Sequence, residues 1–571
     1  MSEWVISTNV ARCRDCYRCV RTCPVKAVKV QNGQAQIVPE LCIACGSCVR
    51  VCPQNAKVVR DDRPAIREAI RSGRKVVASV APSVPAFFEV KTFDQIEGAL
   101  QALGFAAAGE TAFGAEMVGQ AHREYVESHQ DAWPLITSSC PVVVNLIERY
   151  YPDLCSHLAP IVSPMIAHGR WLRATYGDDA YIVFIGPCIA KKEEIRRETV
   201  AGAVDAAMTF SELQEWMDEE GVSVAEPTVS SDITPRVNAR VFPVEGGLVG
   251  TADMDTDILS SHVVTTSGLD ACEDVLRGIR EGQLAACMVE LMACEGGCIN
   301  GPAMEGHGSV YASRQRVIEY ASRKQPVRLP ERNEWPSLEC SYADHSVPLP
   351  EFSEEQIQEM LHLVDKYSPE DELNCGACGY ATCREKAVAT LRGMAEPTMC
   401  IPYMRRRAES LRDVVMEATP NGVIIVDDRL RIQDLSPSAE KMLDVRRNEV
   451  RGQRVHEILP TNGSLAEVRD TGQPVLNRVI EIRPDLAVEQ SVVPVEGQSL
   501  MVAILRDVTE QRKQRKELEH IRRESLSRTQ EVVKNQMLVA HEIAQLLGET
   551  TAESRVALSR LAKLLDEGEA P

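Results

Sequence analysis

The chain has 571 residues, and a prior of about 150 residues per domain predicts three to five domains. Its formal net charge of −20 argues against a nucleic-acid partner. The sequence contains no run of about 18 consecutive apolar residues, so no membrane span is expected. The N-terminus lacks the apolar core of a secretory signal, so we expect a cytoplasmic protein. Most of the 20 cysteines fall in tight clusters, which predicts thiolate ligation of metal rather than disulfide bonds.

Residues 1–60 contain two cysteine runs with the same spacing, CxxCxxCxxxCP. This is the bacterial ferredoxin arrangement, in which the fourth cysteine of each run binds the other cluster. The pattern therefore predicts a 2[4Fe–4S] electron-transfer domain. Two zinc sites are the alternative, because CxxC pairs also bind zinc, but the duplicated run disfavours them. The predicted ligand sets are Cys13, Cys16, Cys19 and Cys52 for one cluster, and Cys42, Cys45, Cys48 and Cys23 for the other.

Residues 70–340 alternate strand-like stretches, such as KVVASVAP and YIVFIGP, with helical patterns, which predicts an α/β core. Three short segments of this region, TSSCP, FIGPCIAKKEE and ELMACEGGCING, carry four more cysteines: Cys140, Cys188, Cys294 and Cys298. Four thiolates fit one further cubane cluster. Their spacing does not by itself indicate a binuclear iron site.

At these segments the chain resembles the catalytic domain of [FeFe]-hydrogenases, whose signatures are TSCCPxW, MPCxxKxxE and ExMACxxGCxxGGG. The resemblance covers roughly residues 1–335. It implies that the four cysteines hold the cubane of an H-cluster, and that Cys298 bridges to a binuclear iron unit carrying CO, cyanide and a dithiolate. It also implies that Lys191 donates a charge-assisted hydrogen bond to one cyanide.

The resemblance further places the loop Ala81, Pro82 and Ser83 over the other cyanide. The methionine of the third signature is kept as Met292, whereas Gly186 replaces the methionine of the second. Taken singly, Lys191 could be a surface lysine, and Ala81-Pro82 could be a plain turn. Their occurrence together with the cysteines favours cofactor contacts.

The chain departs from the family on the path that delivers protons. Ser139 stands where active members have a cysteine, and a serine hydroxyl is a far weaker acid than a thiol with a pKa near 8.5. Ala159 aligns with a relay serine, and His122 and Tyr125 lie near the expected glutamates. His122 is interpreted as a partly exposed helical histidine, although it titrates in the right range for a relay. These changes predict slow turnover.

Residues 345–405 contain CxxCxxxxC and a distant fourth cysteine: Cys375, Cys378, Cys383 and Cys400. The spacing resembles the small [4Fe–4S] domain of corrinoid iron–sulfur proteins and redox sensors, with a structural zinc as the alternative. By domain order, this cluster is expected to carry electrons towards the C-terminus. The remaining cysteines fit no ligand spacing, and most are expected to be buried structural thiols: Cys155, Cys272, Cys287 and Cys340.

Residues 406–510 resemble a PAS domain, from MEATPNGVIIVDD to the exit segment RDVTE. NG and DD turns between β-branched runs predict an antiparallel sheet. Residues 511–571 follow as a charged helix whose short apolar seam is typical of a dimerising signalling helix.

The predicted fold is a multidomain α/β and α+β protein. It comprises a ferredoxin-like 2[4Fe-4S] domain (1–60), an α/β [FeFe]-hydrogenase H-cluster domain (70–340), a small 4Fe-4S domain (345–405), a PAS domain (406–510) and a C-terminal helix (511–571). The cofactors implied are three [4Fe-4S] clusters and one H-cluster.

The favoured function is a low-turnover hydrogenase site that binds and splits H2 as a hydrogen or redox sensor. The implied partners are H2 and protons, a ferredoxin or other electron carrier, hydrogenase maturation proteins, a downstream kinase or phosphatase, and a second copy of the chain. One alternative is the catalytic subunit of a ferredoxin- or NADH-linked turnover hydrogenase. The other is an iron–sulfur assembly scaffold without an H-cluster.

Overall fold

The structure is a computed structural model that describes residues 4–130, 133–224, 237–254, 261–304, 308–322, 332–459, 463–495, 497–547 and 558–564. It divides the chain into two compact units, Met1–Tyr403 and Met404–Pro571. None of the described helices is long and apolar enough to cross a membrane.

The first unit contains eleven strands in its described part. They are β1 (Ile6–Thr8), β2 (Val28–Gln31), β3 (Gln34–Ile37), β4 (Lys57–Val59), β5 (Val76–Val80), β6 (Ala107–Glu110), β7 (Leu135–Ile136), β8 (Tyr181–Gly186), β9 (Ala206–Thr209), β10 (Val263–Ser267) and β11 (Met288–Met292).

The helices that begin in this unit are α1 (Arg18–Thr22), α2 (Ser47–Arg50), α3 (Arg63–Arg71), α4 (Val84–Phe88), α5 (Phe93–Ala102), α6 (Ala112–Ser128), α7 (Pro141–Tyr150), α8 (Pro164–Tyr176), α9 (Lys191–Glu194), α10 (Phe210–Glu220), α11 (Val237–Arg240), α12 (Gly247–Thr251), α13 (Leu269–Arg280), α14 (Val310–Ala321), α15 (Glu354–His362), α16 (Cys383–Leu391) and α17 (Ile401–Ala418). Helix α17 contains the division between the units, and the predicted boundary at 405/406 also falls within it.

The N-terminal cysteine-rich region pairs β1 with β4 and β2 with β3, both antiparallel. A short helix carries the third cysteine of each run: Cys19 lies on α1 and Cys48 lies on α2. Apolar side chains, including Ile6, Val20 and Ile43, are buried between the two halves. The duplicated sequence therefore folds as a duplicated structure, as a ferredoxin-like domain requires.

Two parallel sheets form the scaffold of the central region. One has the strand order β6-β5-β8-β9 and the other β10-β11-β7. Every residue of β5 and of β11 is buried, which is typical of parallel strands that are covered on both faces. The predicted strands KVVASVAP and YIVFIGP are the neighbouring strands β5 and β8. The predicted α/β class of this region is confirmed.

Residues 345–403 form the small third region, where α15 packs on α16. Although it follows the central region along the chain, it packs against the N-terminal cysteine-rich region. The Val30 backbone N–H donates to the Met394 carbonyl (2.9 Å), and the Arg21 guanidinium donates to the Ala377 carbonyl (3.1 Å). A Cβ built at Gly379 would lie 2.9 Å from Val20 Cγ1, so the two backbones approach closely at this glycine.

The second unit contains a five-stranded antiparallel sheet of order β13-β12-β16-β15-β14. The predicted antiparallel sheet is therefore confirmed. Its core is apolar and includes Ile424, Val426 and Leu505. The elements are β12 (Gly422–Asp427), β13 (Ile432–Leu435), α18 (Pro437–Leu443), α19 (Arg447–Val450), α20 (Gly463–Thr471), β14 (Val475–Arg483), β15 (Leu486–Pro494), β16 (Leu500–Asp507) and the 39-residue α21 (Thr509–Leu547).

Candidate metal centres

One cavity in the N-terminal region is lined by a predicted ligand set that crosses the two cysteine runs: Cys23, Cys42, Cys45 and Cys48. Burial raises the pKa of the Cys23 thiol to about 12, and the nearby Cys45 and Cys42 add to this effect. Backbone N–H groups of Ala27 and Ala44 donate to the Cys23 and Cys42 sulfur atoms (3.3 and 3.4 Å). Four thiols that line one cavity, three of them buried and two of those accepting from backbone amides, suit thiolates that share a cluster.

The other N-terminal set lies nearer the surface. Cys13 and Cys16 are electrostatic neighbours of Cys19. Partial burial raises the pKa of the Cys52 thiol, but backbone N–H donors and Lys57 outweigh it and lower that pKa overall. The ammonium of the buried Lys57 acts on Cys19, Cys48 and Cys52, so it lies near both sets. The sequence analysis missed Lys57, whose only signal is its place five residues after the second run.

The central site is assembled at the carboxyl ends of parallel strands, where α/β folds place their ligands. Cys140 follows β7 and is the N-cap of α7, Cys188 follows β8, and Cys294 and Cys298 follow β11. The structure brings the four together, since each acts on the others electrostatically. Burial raises the pKa of the Cys188 thiol to about 11. These thiols are stable as thiolates only if a cation or cluster compensates their charge.

Lys191 lies beside this cysteine group, because its charge acts on both Cys188 and Cys298. Its ammonium donates to the Glu194 carboxylate (2.7 Å) and to the Ser139 carbonyl oxygen (3.3 Å). Glu194, which the sequence analysis did not single out, thus orients Lys191 from three residues along the chain. Lys191 is 9% exposed, so it is not a surface lysine.

Two buried hydroxyl groups have no hydrogen-bond partner among the described residues: Ser139 Oγ, next to Cys140 in the chain, and Ser83 Oγ, in the loop after β5. Buried hydroxyls normally find partners, so these two fit a polar group that the described residues do not themselves supply. The Ala81–Ser83 loop follows β5 and is buried throughout. These residues therefore fit the group that the resemblance implies.

Gly186 has a packing reason to lack a side chain. A Cβ at this position would lie 2.6 Å from the Phe184 ring and 3.0 Å from Ala81 Cβ. The Phe184 ring therefore occupies space that a methionine would need. Met292 is buried at the end of β11, where its carbonyl accepts from the Gly268 N–H (2.8 Å).

The expected proton-path residues are not arranged as predicted. His122 is fully buried on α6, so the expectation of a partly exposed histidine is wrong. Its Nδ1 hydrogen-bonds the Val118 carbonyl (2.8 Å), whereas Nε2 has no partner among the described residues. Burial lowers the pKa of His122 to about 4. Ala159 is buried, and Tyr125 stacks on His129.

A buried carboxyl that the sequence analysis missed, Glu290, lies in β11. It accepts hydrogen bonds from the backbone N–H groups of Leu248 and Val249 (3.3 and 3.1 Å). Burial raises the pKa of Glu290 to about 7. Its position as the first letter of the third signature was the available signal.

The third region also gathers its four cysteines around one cavity: Cys375, Cys378, Cys383 and Cys400. This cavity is also lined by Tyr380, Lys366 and Lys386. Within the described ranges, no three Cys, His, Asp or Glu side chains converge on a point for a single metal ion. Of the cysteines outside the ligand sets, Cys272 and Cys287 are buried, and Cys155 and Cys340 are half-buried.

The three groups of sites are in contact through specific residues. Cys45, Arg50 and Cys294 line one pocket, which joins the N-terminal region to the central site. Helix α7, which starts after Cys140, holds the loop of Cys42 through hydrogen bonds from Arg149 to the Cys42 carbonyl (2.6 Å) and from Tyr150 to the Leu41 carbonyl (2.6 Å).

In the third region, Tyr380 lies near both Cys378 and Cys23, and burial raises its pKa to about 12. Arg21 donates to the Cys16 and Ala377 carbonyls (both 3.1 Å). The cysteine-rich N-terminal region thus contacts both of the other two regions.

Four protein-family models match the chain. The model "Iron only hydrogenase large subunit, C-terminal domain" matches residues 74–302, and a 4Fe-4S dicluster domain matches residues 5–53. An Fe-S cluster model matches residues 371–402, and a PAS domain matches residues 420–510.

Curated relatives include hydrogenases and an assembly factor. The periplasmic [Fe] hydrogenase large subunit of Nitratidesulfovibrio vulgaris is 29% identical over 53% of this chain and 87% of its own length. Iron hydrogenase 1 of Clostridium pasteurianum is 24% identical over 41% of this chain and 51% of its own length. The cytosolic iron-sulfur assembly component 3 of Rattus norvegicus is 22% identical over 40% of this chain and 62% of its own length.

A solved structure of an [FeFe]-hydrogenase from Chlamydomonas reinhardtii aligns with a TM-score of 0.39 and 17% identity. The alignment covers 49% of this chain and 99% of that chain.

Proposed function

Because this chain is an [FeFe]-hydrogenase-like iron–sulfur protein with a PAS domain, we propose that it binds and splits H2 slowly and acts as a hydrogen or redox sensor. The observation that carries the proposal is the meeting of four cysteines from three strand ends beside a buried lysine. When bound, an H-cluster supplies heterolytic H2 cleavage, and the [4Fe–4S] clusters supply electron transfer.

The residues around the central site would hold that group in defined ways. Cys140, Cys188, Cys294 and Cys298 supply the thiolates. The Lys191 ammonium, fixed by Glu194 and the Ser139 carbonyl, supplies positive charge to an anionic ligand. The unpartnered Ser83 hydroxyl supplies a further donor from the loop after β5.

Slow turnover follows from the group available to move protons. The Ser139 hydroxyl is buried next to Cys140, but it holds its proton far more tightly than a thiol does. Ala159 offers no exchangeable proton, and the pKa of His122 keeps its imidazole neutral at physiological pH. A slow site is better suited to reporting H2 than to consuming it.

The sensing part of the proposal is supported by domain content. A PAS domain and a 39-residue helix follow the iron–sulfur regions along the chain. The exposed apolar residues of α21, including Leu518, Ile521 and Val532, suit pairing with a second copy. A partner kinase or phosphatase would read the state of this helix, and a ferredoxin would exchange electrons with the N-terminal region. A bistable element is required for such switching.

The experiment is to mature the protein anaerobically with hydrogenase assembly proteins and expose it to H2. We expect the [4Fe–4S] clusters to become reduced, as followed by electron paramagnetic resonance, while H2 evolution with reduced viologen stays far below that of standard hydrogenases. Fast evolution would favour a turnover hydrogenase. No reduction by H2 would contradict the proposal.

An assembly scaffold without an H-cluster is the second candidate, and similarity to an iron-sulfur assembly component favours it. The buried Lys191 and the unpartnered Ser83 hydroxyl favour the hydrogenase alternative instead, because both point to a polar group beyond the cubane.

A further inference from the structure

The cavity of the third region contains a buried lysine among its cysteines. Lys386 is 4% exposed and lies one helical turn after Cys383 on α16, so the two residues share a helix face. Its ammonium donates to the Pro397 carbonyl (3.3 Å), which holds the side chain inside the cavity. A second buried lysine, Lys366, lines the same cavity.

The charged groups that face Lys386 are the cysteines of the site. Burial lowers the pKa of Lys386 and Lys366 adds to this effect, whereas Cys400, Cys378 and Cys383 favour its charged form. Two buried ammonium groups in one cavity are costly unless negative charge lies close by. Four thiolates around a [4Fe–4S] cluster supply such charge, and each added electron increases it.

We propose that Lys386 is a positioning residue that sets the reduction potential of a [4Fe–4S] cluster at Cys375, Cys378, Cys383 and Cys400. Reduction of this cluster takes up one electron and adds one negative charge, which a neighbouring ammonium stabilises. The ammonium thereby raises the reduction potential of the third cluster above the value it would have without this lysine.

The position of the site gives this potential a role. The electron reaches the third site from the N-terminal clusters, since Tyr380 lies near both Cys378 and Cys23. Its source is the oxidation of H2 to two protons and two electrons, so the role, although not the potential itself, rests on the proposed function. An electron held there marks the state that a sensor would report.

The test measures potentials rather than activity. Protein reconstituted with iron and sulfide alone, without the maturation proteins, is titrated potentiometrically and followed by electron paramagnetic resonance. The Cys378→Ala variant identifies the signal of the third cluster by its loss. We expect Lys386→Gln to lower the potential of that signal alone, with at least a tenfold decrease in the reduced-to-oxidised ratio at fixed potential, or about 59 mV for one electron.

Lys386→Arg keeps the charge and is expected to keep the potential. Lys91→Gln removes the same charge from an exposed loop and is expected to change nothing. If Lys386→Gln fails to fold, Lys366→Gln tests the same cavity and is expected to lower the same potential.

An unchanged potential in Lys386→Gln, or in Lys366→Gln where that variant replaces it, would overturn the proposal, and so would an equal shift in Lys91→Gln. So would zinc instead of iron at the third site. If the Lys386 shift is present but H2 reduces no cluster in matured protein, the proposed function fails while this inference stands.

Discussion

The N-terminal and central regions both gather cysteines, but they do so in different ways. In the N-terminal region the ligands come from two local runs, and a loop with a short helix presents each run. In the central region they come from the ends of β7, β8 and β11, far apart along the chain. The spacing within a local run positions most of its ligands, whereas the ligands of the dispersed site are positioned by the packing of two sheets. The comparison predicts that the two regions respond differently to substitution.

The largest expected effect is loss of one N-terminal cluster. Cys23 and Cys48 lie in the same cavity although they belong to different runs. We expect Cys23→Ala and Cys48→Ala each to remove one cubane's iron and the same electron paramagnetic resonance signal. The double variant should lose no more iron than either single variant, because both ligate one cluster. Cys340→Ala, at a half-buried cysteine outside every set, is the control. Loss of different signals would contradict the crossed pairing.

The next effect concerns the central site. Ser139→Cys should raise the H2 evolution rate of matured protein by about 10²-fold or more, because a thiol is a better proton donor than a hydroxyl. The exposed Ser156→Cys adds a thiol elsewhere and should leave the rate unchanged. A rate that does not rise in Ser139→Cys would show that proton delivery at this position does not limit turnover.

A smaller effect is expected where the two regions meet. A Cβ at Gly46 would lie 2.7 Å from Pro302 and 2.9 Å from Ile189, and the glycine has a φ of +76°. Gly73 has almost the same φ, +77°, but nothing lies within 4 Å of its Cβ position. Gly46→Ala should therefore lower the free energy of unfolding by about 2 kcal/mol more than Gly73→Ala does, as measured by anaerobic urea denaturation. Equal losses would mean that only backbone strain matters at Gly46.

The smallest expected effect is on how the free energy of unfolding depends on pH, and it arises from His122 in the central region. The pKa of His122 in the fold, about 4, lies below the usual value of 6.5. As pH falls through 6.5 the unfolded chain therefore takes up the proton first, and the fold loses stability. Between pH 7.5 and 5.5 this loss is about 1.4 kcal/mol. Urea denaturation at the two pH values should show that His122→Gln loses less stability than wild type, whereas His129→Gln, at an exposed site, loses as much. Equal pH dependence in wild type and His122→Gln would mean that another group causes the pH dependence of the free energy of unfolding.

Much of the fold was predictable because its signals are local. Spacing alone indicated the paired cysteine runs, and apolar runs without alternation indicated β5 and β8. Turn residues between β-branched runs indicated the sheet of the second unit. These signals depend on neighbours within a few residues and need no tertiary information.

The parts that escaped prediction depend on packing between distant segments. The burial of His122 arises from helices and loops that cover α6, and its own helix gives no indication of them. The contact between Val30 and Met394 joins segments that no periodicity relates. Lys57 and Lys386 are ordinary lysines in the sequence, and only their burial among cysteines distinguishes them. The roles of the predicted site residues stay predictions, although the structure brings the four central cysteines together.

The central claim is that the cysteines after β7, β8 and β11 hold an H-cluster. Infrared spectroscopy of protein matured with its assembly enzymes tests it most directly, because CO and cyanide ligands give bands where the protein has none. We predict these bands in the wild type and their loss in Cys298→Ala, with the N-terminal cluster signals retained. Matured wild-type protein with full iron–sulfur content and no CO or cyanide bands would contradict the account and favour the assembly scaffold.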